Sequence, residues 1–434
     1  MNMETLEWGR GLLPSDTKER WSGSYPRWMS GPNTVNEIQK TVMLVTLLSS
    51  LTGLSGSDTL TGTLVPPPAD AENAAKALRK LCESATSSDA SAEQAEMDIG
   101  AVTALLQEAT EGSPASASVL CAAVIAATTA IDAIDKHPEV DAAEAGLLPW
   151  GHLRVNVLQV LLHLASSELG CTRVLAQTSG GAASACIALL RSNASRTDME
   201  GVRTAANILK NLSMPPTIRA RVGSLEGLYD ALLNHVTHRD PNTGAIAAAT
   251  LRILVEGCAP NARLAALTAA GAETGAVSRA TSAGASDEEA ERTRLSADSS
   301  ESGFGPVLAA DLTKMHPFCR VELARFMCLA LSQALDNLAP WQQRRLTTAA
   351  VLRFAIFPLA SKHAPLHREV CAALLAARRV YRERSELGPW PVSTITCTLW
   401  VPGPQGDRSL AAELQQAASA GTISEDELAV LVGD

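Results

Sequence analysis

At 434 residues, with 46% apolar residues but only 3% aromatic ones, the chain is longer than one ordinary globular core and must build its interior from Ala, Leu and Val. That composition argues against a β-rich core, whose strands draw on aromatic and β-branched side chains, and for closely packed helices. Lys and Arg number 36 against 46 Asp and Glu, a net charge of −10, which excludes a general basic footprint for nucleic acid. The acidic excess reads first as a solubility feature and second as a fit for a partner rich in Lys and Arg.

In chain order, residues 1–32 carry Trp8, Trp21 and Trp28 among Gly, Pro, Ser and charges without a helical period, and read as a partly disordered arm. Residues 33–112 hold helical stretches at 34–54, 70–85 and 92–109 separated by polar linkers, and read as degenerate repeats. The apolar stretch 41–54 is shorter than the roughly 20 residues a membrane span needs, so no span is expected and the chain reads as cytoplasmic. Nine cysteines are scattered without a CxxC pair, as reduced core thiols would be.

The region 113–270 repeats a short helix, a second helix and a long third helix. Long helices are expected at 116–135 and 153–167. The order then returns as 171–178, 182–190 and 202–214, and again as 217–222, 225–236 and 244–256. Gly180 to Gly223 spans 43 residues and Leu212 to Leu254 spans 42, within the roughly 40 to 47 residue period of armadillo and HEAT arrays. One such module cannot bury its apolar face alone, whereas stacked neighbours share a continuous core. Residues 271–305 lose the period to Ser, Thr, Gly, Ala and the acids Asp287, Glu288 and Glu289, and read as a disordered insertion. Armadillo repeats are expected to resume over 306–388, and residues 389–434 read as an irregular cap or tail with one helix at 410–418. The fold expected is all-α, a right-handed superhelical solenoid of armadillo-type repeats.

The run GVRTAANILKNLSMPP at 201–216 resembles the third helix of an armadillo repeat. In that family an Asn at the position of Asn211 bonds neighbouring backbone and fixes helix stacking; His163 and Ile253 occupy the position in the flanking repeats. The blocks LPWGHLRVNVLQVLLHLASSELGCTRVLAQTSG, VRTAANILKNLSMP, PNTGAIAAATLRIL and RVELARFMCLAL resemble the small-GTPase GDP dissociation stimulator (SmgGDS) family. That resemblance implies a regulator or chaperone of small GTPases that takes the GTPase on its concave groove and a basic, lipid-modified tail on an acidic surface. The surface expected here is Glu139, Asp141 and Glu144, with Glu93, Glu96 and Asp98 before it. Such ion pairs are individually weak and fade with salt.

In a stacked array the third helices line the inner curve, so polar residues on their open face are the binding candidates. Gln159 and His163, Asn207 and Asn211, and Arg252 and Glu256 stand four residues apart and so share a helix face. The alternative is that these side chains only tie neighbouring repeats together. His163 has no Cys or carboxylate at helical spacing to complete a catalytic site. His235, His238 and Asp240 fall at a helix end and turn where solvated polar residues are normal, so no metal is expected. No Gly-rich phosphate loop, HExxH or GxSxG occurs, and SxxK occurs only in isolation at 15–18. A non-enzymatic protein binder without cofactor is expected, with a generic armadillo scaffold for an extended peptide or larger assembly as the alternative.

Overall fold

The computed structural model describes residues 69–79 in part, 115–136, 147–171 in part, 181–192, 198–270, 307, 315–352 in part, 364–383, 390 and 410–432 in part. All regular structure among these residues is helical, with no strand. The arm 1–32, nearly all of 33–112, the acidic residues Glu139, Asp141 and Glu144, and the insertion 271–305 lie outside the described residues. No helix among the described residues is long and apolar enough to cross a membrane.

The chain divides at Pro215 into two units. The first contains α1 (Ala115–Lys136), α2 (Leu147–Leu164), α3 (Gly181–Arg191) and α4 (Met199–Ser213). In α1 the buried Leu120, Val124, Ala127, Ile131 and Ile134 recur every three or four residues, which gathers them into one stripe. That stripe side packs on α2 and α3, and both of these pack on α4. The expected start of α4 at Val202 moves back to Met199 because Asp198 caps it, its carboxylate accepting from the Gly201 amide at 2.7 Å. Gly201 is needed there for space: a Cβ would stand 2.1 Å from Asp198 Oδ2.

The second unit contains α5 (Pro216–Gly223), α6 (Leu228–Val236), α7 (Pro241–Val255), α8 (Ala259–Ala269), α9 (Pro317–Ala334), α10 (Pro340–Leu346), α11 (Ala364–Glu383), α12 (Leu410–Ser419) and α13 (Glu425–Val432). The helices α5, α6 and α7 follow the short, second and long order expected from the sequence. α7 starts at Pro241, ahead of the expected Gly244, because Asp240 caps it through Asn242 N and Thr243 N and proline suits a first turn. α7 packs chiefly on α9 and α6, and α9 in turn on α11 and α8. The third helices thus lie side by side, with Leu323, Phe326 and Met327 of α9 fully buried.

Two of these helices are absent from the sequence expectation. α8 immediately precedes the insertion and is too Ala-rich to show a strong polar face. α13 falls where only an acidic end was expected. Ser424 and Glu427 cap it reciprocally, Ser424 N donating to Glu427 Oε2 at 2.8 Å and Glu427 N to Ser424 Oγ at 3.2 Å. Its three first-turn acids therefore stabilise a helix N-terminus, and its Leu431 is fully buried. Trp390 Nε1 donates to the Leu431 carbonyl at 2.9 Å, with Tyr381 edge-on to the same indole.

Candidate functional site

In the first unit, α2 and α4 run in the same direction and in register. Arg154 of α2 reaches Asp198 at 2.6 Å, and Gln159 Nε2 donates to Thr204 Oγ1 at 3.3 Å, contacts that span 44 and 45 residues. That offset falls within the period expected from the sequence, and it sets His163 level with Asn207. On the preceding side, Arg79 Nη1 donates to Asn156 Oδ1 at 3.3 Å. Beyond its first turn, where Met199 is half-exposed and Glu200 exposed, α4 opens along one stripe, Arg203, Asn207, Lys210 and Asn211, which its C-cap Met214 continues. On α2 the corresponding stripe includes Asn156, Gln159 and His163. The four candidates Gln159, His163, Asn207 and Asn211 therefore share one face of adjacent helices.

Their bonds differ from one another. Gln159 is spent partly on Thr204, and the His163 carbonyl accepts from Ser166 Oγ at 2.6 Å. Asn211, expected from the armadillo resemblance to tie neighbouring backbone with its side chain, contributes its carbonyl, which receives Cys171 Sγ at 3.7 Å and Met214 N at 3.2 Å. The side chain that ties backbone is Asn261 in α8. It is buried, and its Nδ2 donates to Arg219 O at 3.0 Å and Leu254 O at 2.9 Å, joining the ends of α5 and α7. Gly223, expected as a helix stop, is the last residue of α5 and makes room for this amide: a Cβ there would stand 2.3 Å from Asn261.

In the second unit, Arg252 and Glu256 belong to a longer chain of charges across α7, α9 and α11. Arg252 binds Glu256 on its own helix through Nη1 and Glu322 of α9 through Nε. Arg325 stands 3.7 Å from the other Glu322 oxygen and grips Glu369 of α11 with two bonds of 2.7 and 2.9 Å. Burial works against the Arg325 charge, but the bonds to Glu369 and the field of Glu322 and Glu256 outweigh it and hold the guanidinium above its usual range. Glu322 is the buried centre, its side chain 7% exposed, while Glu256 at 49% is the open end. Farther along, Arg379 meets Asp336 at 2.8 Å, more than half exposed on both sides and worth only about 0–1 kcal/mol. Glu322, Arg325 and Glu369 escaped the sequence expectation. Glu322 and Arg325 stand three apart in RVELAR, the spacing that marks a shared helix face.

His235, His238 and Asp240 have other partners than a metal. The two rings stack at 5.5 Å, His235 Nδ1 donates to the Ala231 carbonyl at 2.8 Å, and His238 Nδ1 accepts from Asp240 N at 3.1 Å. Burial depresses the His235 pKa below its ordinary value, more than the Ala231 bond raises it, and the neighbouring His238 lowers it further. A histidine held neutral in the fold contributes stability that is complete above its unfolded value and lost as pH falls from there toward the folded one. In the window that opens downward from about pH 6.5 the wild type should therefore lose stability more steeply than His235→Gln. Denaturant unfolding of both proteins across that window measures the difference, and equal slopes would contradict it.

Burial also disarms the cysteines. Cys121, Cys171, Cys319 and Cys371 are free thiols pushed up to about 12, so they stay neutral as small apolar core residues. The stripes on the third helices accordingly offer hydrogen bonds and fixed charge, which suit recognition of a surface. No protein-family model matches the chain, and no curated protein sequence matches it.

Proposed function

We propose that this chain is a non-catalytic armadillo-type repeat protein whose third-helix faces receive a protein partner, and that the partner is a small GTPase. One observation carries the binding reading. Gln159, His163, Asn207 and Asn211 lie in register across α2 and α4, half-exposed, on helices whose apolar sides are buried. A face built this way is rigid, since buried contacts fix both helices, and it needs no reorganisation on binding. The GTPase part rests on the resemblance of the blocks beginning at Leu148, Val202, Pro241 and Arg320 to the GDP dissociation stimulator family. Under this reading the protein works in the cytosol, where its free thiols stay reduced.

A pull-down of nucleotide-free small GTPases against an unrelated armadillo control tests it. Retention by this chain above the control, lost when GDP is restored, is the expected result; binding equal to the control removes the GTPase reading. The half-exposed amides of Asn207 and Asn211 also suit the backbone of an extended peptide. Capture of a short linear peptide regardless of nucleotide would select the scaffold reading instead.

A further inference from the structure

We infer that the α2–α4 face docks an acidic segment of the partner, with Lys210 as its anchor. The inference rests on the binding reading above and adds the partner's chemistry. It starts from Lys210, a half-exposed cation that forms no ion pair among the described residues of a chain whose net charge is −10.

Along the last two turns of α2 the half-exposed polar residues are Gln159 and His163, and along those of α4 they are Asn207, Lys210 and Asn211. Arg203 precedes them by one turn on the same stripe. No carboxylate lies in either stretch. Of the nearby acids, Asp198 is bound to the buried Arg154 and the α4 cap, and Glu72 pairs with His152 at 3.4 Å toward the start of α2. Glu200 is exposed in the first turn of α4, one turn before Arg203 on the same side, and Glu168 stands just beyond the end of α2, where its field reaches Cys171. Among the described residues Lys210 forms no ion pair, although the second unit matches Arg252, Arg325 and Arg379 each with carboxylates across neighbouring helices.

Burial shifts the Lys210 pKa downward, the signature of an ammonium that has lost water without gaining an anion. A carboxylate arriving from a partner restores that interaction, and because the site is partly desolvated the pair gains more than a fully exposed one. The amides of Asn207 and Asn211 on either side offer donors and acceptors for the backbone carrying that carboxylate. One cation without an ion pair is too little to track a phosphate backbone, which favours a protein segment over nucleic acid.

The test uses the full chain and three fluorescent probes of equal length: a peptide of alternating Glu and Ala, one of alternating Lys and Ala, and a single-stranded oligodeoxynucleotide. Anisotropy should show the acidic peptide binding tightest, weakening as salt rises. Lys210→Glu should weaken it by about tenfold or more and Lys210→Ala by less, while Arg263→Glu, a charge reversal on the exposed side of α8, should change it by less than about twofold. Circular dichroism of each variant shows that its helices are retained. Preferential binding of the oligodeoxynucleotide, or acidic binding indifferent to Lys210→Glu, overturns the inference. Tighter binding of the Lys peptide that still responds to Asn207→Ala also overturns it, yet keeps the face as a docking site. Absence of binding by every probe, together with no GTPase retention, overturns the binding reading as well.

Discussion

Asp198→Ala should destabilise the first unit by about 3–5 kcal/mol, among the largest losses of any single polar substitution in the chain. Arg154 is the reason. Its side chain is 2% exposed, and among the described residues the Asp198 carboxylate at 2.6 Å is its one hydrogen-bonding partner, its Nε and Nη1 being buried without one. Burial lowers the guanidinium pKa, and the fields of Asp198, Asp132 and Asp135 oppose this. Removing Asp198 leaves a buried charge with two distant acids and also strips the cap from α4. Arg154→Met should behave differently. It removes the charge itself, leaves Asp198 bonded to Gly201, and should be neutral within about 1 kcal/mol. The double variant should recover most of the Asp198→Ala loss. Denaturant unfolding of the four proteins forms the cycle, and a double variant as unstable as Asp198→Ala would show that the cap, not the buried charge, sets the cost.

The second large effect concerns a glycine that needs no unusual backbone. Gly223→Ala should cost about 2–4 kcal/mol, because the added methyl takes the place of the Asn261 amide and breaks its bonds to two backbone carbonyls, one of them buried. Those carbonyls belong to Arg219 and Leu254, so α5 and α7 lose their shared tie. Asn261→Ala should lose a similar amount by the same route. The two should not add: once the amide is gone, the methyl introduced by Gly223→Ala occupies vacated space, and the double variant should match Asn261→Ala within about 0.5 kcal/mol. Denaturant unfolding of both single variants and the double one checks this, and additive losses would mean that Gly223 matters for some reason other than Asn261. The Asn261 Oδ1 is itself buried without a partner, so the residue contributes through its donors.

These predictions rest on residues the sequence marked only faintly. Gly223 appears in sequence as a recurrent helix end, and its spacing from Gly180 gave the repeat length, but the space it provides depends on Asn261, 38 residues later. Asn211 carried the resemblance to an armadillo asparagine, yet the backbone tie is made from α8, a helix the Ala-rich pattern did not announce. Arg252 and Glu256 were visible as a pair four residues apart, whereas the acid that buries the Arg252 charge, Glu322, is 70 residues downstream across the insertion. Gln159, His163, Asn207 and Asn211 were legible as one-helix pairs; their alignment into one face required the register set by Arg154 with Asp198 and Gln159 with Thr204.

The helical class and the approximate placement of most helices from α1 to α12 could be read from the order of residues. Both follow from interactions between residues three or four apart and from the apolar burial they direct. Packing in three dimensions settled which polar side chains are consumed in holding neighbours together and which stay available. A buried charge or amide must find its partner in space, and that partner's distance along the chain leaves no periodic trace. Lys210 shows the consequence: as a letter it is one of 36 cations, and only the packing around it shows an ammonium without a carboxylate.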